Sequence, residues 1–283
     1  MVSLEHFNMG PTAWCPGCGN FGILDALKKA LVRLGKAPHE ILIVSGIGQA
    51  GKLSHYLRCN GFNGLHGRTL PVATGAKIAN PQLTVIVAGG DGDGYAEGGN
   101  HFIHSARRNV DLTYLVHDNK VYGLTKGQAS PTSELGTVTK TTPQGTPEAI
   151  NPLALALAAG CCFVARGFSG DQDHLAGLIE NGIKHKGFSF IDILQPCVSF
   201  NNRNTFAWYR NRVYKLEDTG YSPNDRMIAL EKAYESDDHL AIGILYREEK
   251  QVFEDRFEAL ASGPLVDQPI SPAVVEQLLE EFV

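Results

Sequence analysis

Hydrophobic residues along the first two hundred positions follow two alternating patterns. In one, apolar side chains recur every three or four residues, which predicts amphipathic helices over residues 21–34, 70–80, 99–108, 152–159 and 174–186. In the other, they form short continuous runs, which predicts buried strands over residues 41–44, 83–88, 112–116, 163–166 and 188–194. Strands that alternate with helices indicate an α/β fold, with a mainly parallel sheet covered by helices on both faces.

Two segments lack these patterns. Residues 127–152 are rich in Thr, Ser, Gly and Pro, which predicts a long loop, and loops of that length are usually functional or disordered. Beyond the last predicted strand the chain becomes polar and aromatic, with one more predicted strand at residues 240–246 and a terminal helix from Ser271. We therefore predict a main domain over residues 1–199 and a C-terminal docking extension over residues 200–283.

Composition narrows the class of protein. The chain has 283 residues, of which 43% are hydrophobic and 19% charged, so it has the apolar content of a folded protein rather than a disordered one. Its net charge of −5 gives no basic field for nucleic acid or anionic lipid. The N-terminal sequence lacks a secretory leader, and no apolar run approaches the roughly 18–20 residues of a membrane helix. We expect a soluble, cytoplasmic protein.

The six cysteines do not form the dense pattern of a secreted disulfide framework. In a reducing compartment, the spacing of Cys15 and Cys18 instead indicates a metal, cluster or redox site. Cys161 and Cys162 lie in an apolar run, where free cysteine packs as a small hydrophobic side chain.

Glycine and polar residues follow two predicted strands. The sequence GDGDG at residues 90–94 ends one strand, and glycines there let the backbone approach a phosphate. The next strand ends at Asn119. If the strands are adjacent, the Asp91 carboxylate, the Asn119 amide oxygen and the Val121 carbonyl offer hard ligands for Mg²⁺, completed by diphosphate and water. The alternative interpretation is ordinary turn chemistry.

A Gly-Asp-Gly followed some two dozen residues later by Asn is similar to the thiamine-diphosphate motif. Four further blocks strengthen the likeness: WCPGCGN at residues 14–20, SGIG at 45–48, LHGR at 65–68 and YGLTKGQASPT at 122–132. Together, from about residue 8 to 215, they resemble the β subunit of 2-oxoacid:ferredoxin oxidoreductases. The resemblance implies coenzyme-A-dependent oxidative decarboxylation of a 2-oxoacid, with electrons passed to ferredoxin. The LTKGQ sequence resembles the 2-oxoacid or 2-oxoglutarate type.

The resemblance also implies roles for single residues. It makes residues 1–199 a thiamine-diphosphate-binding domain and residues 200–283 a segment that packs on a partner subunit. It assigns Mg²⁺ to Asp91, Asn119 and the Val121 carbonyl. The positions that match cofactor contacts are Ile47, Gly48, Gln49, Ala50, His66, Gly92, Asp93, Gly123 and Leu124. Lys52 and Lys126 are candidates for a substrate carboxylate or a coenzyme A phosphate; the alternative for each is a solvated loop lysine.

The family's 4Fe-4S cluster uses four cysteines, and this chain departs from that pattern. Cys15, Cys18 and Cys197 match, but Gln49 occupies the remaining position. A glutamine oxygen is a poor ligand for cluster iron, which prefers thiolate. Four alternatives follow: Cys59 supplies the ligand, a non-cysteine group completes the cluster, the cluster is of the 3Fe-4S type, or it is absent.

The resemblance leaves one catalytic group outside the chain. Thiamine chemistry needs a carboxylic acid that activates the aminopyrimidine, and Glu97 lies near the diphosphate motif, far from that ring. The family implies that this acid comes from an α subunit, so we expect the chain to be inactive alone. Two other functions remain open: a non-redox thiamine-diphosphate decarboxylase or synthase subunit, and a non-catalytic Fe-S electron-transfer subunit.

Overall fold

The chain is described by a computed structural model that covers residues 2–235, 238–269 and 271–282. We number strands and helices in chain order. The strands are β1 Ile41–Ser45, β2 Asn60–Asn63, β3 Thr84–Gly90, β4 Leu112–Asp118, β5 Val121–Tyr122, β6 Gln128–Ala129, β7 Phe163–Phe168, β8 Phe188–Leu194, β9 Val213–Lys215 and β10 Leu240–Arg247. The helices are α1 Gly19–Arg33, α2 Thr69–Ala79, α3 Gly99–Arg108, α4 Pro152–Ala158, α5 Gln172–Lys184, α6 Phe206–Arg210, α7 Arg226–Ala233 and α8 Pro272–Glu280.

Eight strands form one twisted sheet in the spatial order β2-β1-β3-β4-β8-β7-β10-β9. Neighbouring strands run parallel except β10, which is antiparallel to β7. This arrangement confirms the predicted α/β fold with a mainly parallel sheet. All seven residues of β4 and of β8 are buried, as expected of central strands with both faces covered.

The hydrophobic core lies on both faces of the sheet. On one face, α1 and α5 pack side by side, with Leu27 and Ile179 fully buried. On the other face, α2, α3 and α4 cover aromatic residues of the central strands; the rings of Phe102 and Phe190 lie 4.7 Å apart. Alternate residues of each strand contribute to opposite faces, which produces the continuous apolar runs of the sequence.

Residues 200–283 contribute to the same sheet. Strand β10 pairs with β7 and is followed at the edge by β9, while α7 packs on β10. The terminal helix from Ser271 is present as α8, with all its residues exposed. The division of the chain near residue 200 stays a prediction. Among the described residues, no helix has the length and apolar character to cross a membrane.

Candidate cofactor site

The glycine-rich motif lies at the carboxyl edge of the sheet, where β3 and β4 end. The two strands are adjacent, and Gly90 pairs with His117. Asp91 and Asn119 therefore leave the sheet beside each other, as the sequence predicts. After Asp91 the chain forms a π-helical turn, Gly92–Glu97, before α3 begins. Gly92 is required there, because a Cβ atom would lie 2.2 Å from the Tyr122 ring.

Asp91 is 1% exposed and is held by the long loop that follows β6. The Thr132 hydroxyl lies 2.7 Å from Asp91 Oδ2 and also 2.7 Å from Asp118 Oδ1. A hydroxyl carries one proton, so the second of these contacts requires a proton on a carboxyl group. Burial, reinforced by the charge of Asp118, raises the pKa of Asp91 to about 7. A divalent cation here would replace that proton as the charge that stabilises the carboxylate.

The turn from Asn119 to Val121 is held in a strained conformation. Lys120 has φ 61°, the left-handed region that non-glycine residues rarely adopt, at a cost of about 1–3 kcal/mol. Asn119 Oδ1 accepts a hydrogen bond from the Val121 amide at 3.0 Å, and Ser133 Oγ donates to the Lys120 carbonyl at 2.7 Å. These contacts fix the turn, so the oxygen atoms predicted to bind Mg²⁺ are positioned by the fold.

Asp93 connects the phosphate motif to the SGIG and LHGR loops. Its Oδ1 accepts hydrogen bonds from the amides of Ile47 at 3.2 Å and Gly67 at 2.9 Å, and it lies 3.0 Å from His66 Nδ1. A Cβ atom on Gly46 would lie 2.0 Å from Asp93 Oδ2, so only glycine fits. The structure therefore brings His66 and the SGIG loop to the phosphate motif, and it gives Asp93 a positioning role between them.

The remaining predicted contacts lie around the mouth of the site. Ile47 and Leu124 are partly exposed, Gly48 has φ 108°, and Ala50 is buried. A 3₁₀ turn, Ala50–His55, follows Gln49 and contains Lys52.

The two candidate lysines have different surroundings. Lys52 is half-buried and makes no ion pair among the described residues. Lys126 has φ 76° and lines an open cavity of about 640 Å³ between the long loop and residues 200–204. Lys120, Lys140 and Arg203 line the same cavity.

The three matched cysteines converge on a second, smaller cavity, which we call the thiol cavity. It measures about 30 Å³, and its walls include Cys15, Cys18, Cys197, Gln49, Asn119 and Gly123. Asn119 and Gly123 also belong to the predicted cofactor set, so the two sites share a wall. Cys59 is not part of it. Cys59 packs among the hydrophobic residues on the α1 side of the sheet, where burial raises its pKa to about 12.

Polar groups surround Cys18. The Gln195 amide nitrogen lies 3.6 Å from Cys18 Sγ, and the Asn20 backbone amide also hydrogen-bonds the sulfur. Burial raises the pKa of Cys18 to about 11, with smaller contributions from Cys197 and Cys15. Within the described ranges, no three His, Cys, Asp or Glu side chains are close enough together to hold a metal ion. A bound group would therefore have to draw the thiols together.

The donor sets of the two sites differ in chemistry. Asp91, Asn119 and Val121 offer oxygen atoms, which suit Mg²⁺, whereas the thiol cavity offers three sulfur atoms, which suit iron in a cluster. On donor type the residues fit the groups that the motifs predict.

Sequence reasoning missed several residues that shape this edge of the sheet. Thr132 belongs to the YGLTKGQASPT sequence, which by itself indicates no role for it. Asp192 on β8 accepts a hydrogen bond from Tyr95 at 2.6 Å and lies 3.8 Å from Arg166 Nε. Burial raises the pKa of Asp192 to about 7 as well. An acidic residue within a buried, largely apolar strand was the signal that could have identified Asp192.

Comparison with known proteins bears on this geometry. The family model "Thiamine pyrophosphate enzyme, C-terminal TPP binding domain" matches residues 46–193, and the model for the C-terminal part of the pyruvate ferredoxin oxidoreductase beta subunit matches residues 197–262. A 2-oxoacid:ferredoxin oxidoreductase subunit beta of Saccharolobus solfataricus is 48% identical over 277 residues, covering 93% of this chain and 90% of the relative. The chain belongs to the family of 2-oxoacid:ferredoxin oxidoreductase beta subunits.

Other relatives extend the comparison. A 2-oxoglutarate oxidoreductase subunit KorB of Mycobacterium tuberculosis is 44% identical, covering 67% of this chain and 51% of the relative. The solved 2-oxoglutarate:ferredoxin oxidoreductase of Magnetococcus marinus, with 2-oxoglutarate, coenzyme A and succinyl-CoA bound, has a TM-score of 0.90 at 35% identity, covering 98% of this chain and 96% of that one. The predicted resemblance is thus confirmed, and this 2-oxoacid:ferredoxin oxidoreductase beta subunit is part of an oxidoreductase.

Proposed function

We propose that this chain is the β subunit of a coenzyme-A-dependent oxidoreductase that acts on 2-oxoglutarate, works with an α subunit and passes electrons to ferredoxin. Relatives named for 2-oxoglutarate support the substrate. The observation that carries the proposal is the wall shared by the two sites. Asn119, one of the predicted oxygen donors, and Gly123 also line the cavity of the three thiols, which suits a reaction whose electrons leave the cofactor through a cluster.

Mg²⁺ and thiamine diphosphate are assigned to the carboxyl edge of β3 and β4. Asp91, Asn119 and the Val121 carbonyl would hold the ion, and the backbone of Gly92 and Gly123 would lie against the diphosphate. When bound, thiamine diphosphate supplies an electron sink for decarboxylation. The chain's own part is to bind and orient: Thr132 holds the Asp91 carboxylate, and Asp93 holds His66 and the SGIG loop against the motif.

The Fe-S cluster is assigned to Cys15, Cys18 and Cys197. Thiolates are the ligands that cluster iron prefers, and the free state of all six cysteines suits a reducing cytoplasm. The hydrogen bonds from Gln195 and Asn20 to Cys18 would stabilise negative charge on that sulfur. We therefore infer a cytoplasmic enzyme with the cluster as its outlet for electrons.

Substrate recognition is assigned to the lysines at the mouth. The distal carboxylate of 2-oxoglutarate requires a cation, which pyruvate does not. Lys52 and Lys126 are the candidates, and the basic cavity that contains Lys126 also suits a coenzyme A phosphate. The activating acid is assigned to the α subunit, as the family resemblance implies. Glu97, the acid nearest the diphosphate motif in sequence, instead lies within 3.4 Å of Tyr122 Oη and His66 Nδ1.

The test uses the αβ complex, purified anaerobically and assayed with coenzyme A and a viologen acceptor. We expect 2-oxoglutarate to give the highest kcat/KM among straight-chain 2-oxoacids. Lys52→Ala or Lys126→Ala should raise KM for 2-oxoglutarate at least about tenfold while changing KM for pyruvate little, since a lost charged hydrogen bond is worth about 1.5–3 kcal/mol. Lys140→Ala, in the same cavity as Lys126, is the matched control for loss of charge.

Three results would contradict the proposal. Equal KM changes for both substrates would remove the lysines from carboxylate recognition. Thiamine-diphosphate-dependent release of CO₂ without viologen reduction, from a complex free of iron, would favour the non-redox decarboxylase or synthase instead. Iron without any bound thiamine diphosphate would favour the electron-transfer subunit.

A further inference from the structure

Gln49 lines the thiol cavity and occupies the position where the family pattern has its fourth cysteine. Its environment is unusual. Its Oε1 atom is shielded from solvent and accepts no hydrogen bond in the described part of the chain. Buried amide oxygens are normally paired, so an unpaired one next to three thiols indicates a position for a ligand that the thiols share.

The backbone of Gln49 is fixed by Trp14, which also lines the thiol cavity. Its carbonyl accepts a hydrogen bond from Trp14 Nε1 at 2.8 Å, and the Trp14 ring packs edge-on against Tyr56 and Phe21. Trp14 directly precedes Cys15 in the chain. The same contact thus ties the segment that carries two of the thiols to the loop that carries the amide.

Three other side chains are candidates for a fourth ligand, and each is less suited to that role than Gln49. Cys59 lies on the α1 side of the sheet, outside the cavity, with its sulfur 3.3 Å from the Asn60 carbonyl. Asn119 Oδ1 accepts from the Val121 amide. The Gln195 oxygen is also buried and unpaired among the described residues, but its amide nitrogen faces Cys18 and the Pro196 carbonyl, which turns the oxygen away from that thiol.

We propose that Gln49 Oε1 is the fourth ligand of the cluster on Cys15, Cys18 and Cys197, and that the iron it holds is released and taken up reversibly. This inference rests on the proposed function, because it takes the three thiols as cluster ligands. A carboxamide oxygen is a hard donor, so it binds iron more weakly than a thiolate does. One corner of the cluster would then be exchangeable while three are fixed.

Ferricyanide can serve as the oxidant for release of the exchangeable iron. A 4Fe-4S cluster in its 2+ state gives one electron to ferricyanide and one Fe²⁺ to solution, which leaves a 3Fe-4S cluster in its 1+ state. Adding Fe²⁺ and dithionite, which returns the electron, reverses the step. The 3Fe-4S form has an unpaired spin and is counted by EPR, so the test does not depend on turnover.

The experiment compares the wild-type αβ complex with Gln49→Cys, Gln49→Ala and Cys59→Ser, all purified anaerobically. We expect ferricyanide to remove one iron in four from the wild type with a matching EPR signal, reversed by Fe²⁺. Gln49→Cys should keep all its iron and show no signal. Gln49→Ala should already lack that iron as purified, and Cys59→Ser should behave as the wild type. Unchanged unfolding temperatures would show that each variant is folded.

The outcomes separate this inference from the proposed function. If the wild type holds four irons that ferricyanide does not remove, and Gln49→Ala does the same, Gln49 is not a ligand although the cluster stands. If Cys59→Ser alone loses iron, Cys59 is the ligand. If the wild type contains no iron, both this inference and the proposed route for electrons are wrong.

Discussion

The phosphate motif and the thiol cavity share a wall but are built in opposite ways. The motif gathers its donors from two adjacent strand ends, and each is held by hydrogen bonds, such as those from Thr132 to Asp91 and from Ser133 to Lys120. The cavity gathers thiols from both ends of the main domain, and they are not close enough together to hold a metal ion as they stand. The predicted oxygen site is already held in place by the fold, whereas the proposed sulfur site would need a bound cluster to draw its thiols together.

The sharpest test of this contrast uses the chain alone. It should bind iron and Mg²⁺–thiamine diphosphate, since both proposed donor sets lie within it. It should show no 2-oxoacid-dependent viologen reduction, because we assign the activating acid to the α subunit. Adding purified α subunit should restore turnover. Oxidation of 2-oxoglutarate by the isolated chain would contradict this expectation.

Removing a motif ligand should affect one site and spare the other. Asp91→Ala should weaken Mg²⁺-dependent binding of thiamine diphosphate at least about 100-fold, more than the loss of a supporting contact costs. Iron content should not change, because Asp91 is not in the wall of the thiol cavity. Calorimetric titration and iron analysis measure the two effects.

Asp192→Asn is the matched control for Asp91→Ala, since Asp192 is an equally buried acid at the same edge of the sheet. It should bind the cofactor within a few-fold of the wild type. Normal cofactor affinity in Asp91→Ala would remove Asp91 from the metal site. Equal loss in both variants would point to general damage.

Loss of the Thr132 hydroxyl, which supports Asp91, should weaken Mg²⁺ binding less than loss of Asp91 itself. Thr132→Val keeps the shape of the side chain but removes the hydroxyl shared by Asp91 and Asp118. We expect Mg²⁺ affinity to fall about tenfold, the usual lower cost of losing an outer contact of a metal ligand. Thr141→Val, exposed on the same loop, should leave affinity unchanged. An unaffected Thr132→Val would mean that the site is not organised in advance.

The pH dependence of Mg²⁺ binding provides the mildest test. Burial raises the pKa of Asp91 from 3.8 to about 7, and the ion must displace its proton, so affinity should fall about tenfold per pH unit below 7 and level off above it. The Asp91→Asn variant should lose this dependence. A flat profile in the wild type would show that Asp91 is already ionised.

The same pKa shift affects folding of the metal-free chain. A carboxyl group that titrates higher in the folded state stabilises it relatively at low pH, and that contribution is lost as pH rises from 3.8 to about 7. Asp192 acts in the same direction. Relative to Asp91→Asn, the unfolding temperature of the wild type without Mg²⁺ should therefore fall over this range, and Mg²⁺ should recover part of it above pH 7.

Much of the main domain was predictable from periodicity. The five helices and five strands predicted between residues 21 and 194 lie within a few residues of their observed bounds. The predicted strands were recognisable because they are largely buried and form continuous apolar runs. Strand β2 was missed, since all four of its residues are exposed and two are polar. The π-helical turn after Asp91 has no periodic signature. In the C-terminal part, α6 and α7 are too short for a clear pattern.

The site was predictable only where it is local in the sequence. Asp91 and Asn119 could be paired because consecutive parallel strands tend to be neighbours. The prediction that Cys197 lies near Cys15 came from the family resemblance and not from the spacing of the cysteines. Thr132 and Asp192 could not be placed, because which loop residue reaches a buried carboxylate depends on tertiary structure.

The position of Cys197 after β8 has a consequence for biosynthesis. The third thiol leaves the ribosome about 180 residues after Cys18, which at ordinary rates of synthesis is roughly 10–40 s later. Until β8 takes its place between β4 and β7, a nascent chain displays two thiols and no partner for them. A cluster on the three proposed thiols would therefore be completed only after β8 has joined the sheet.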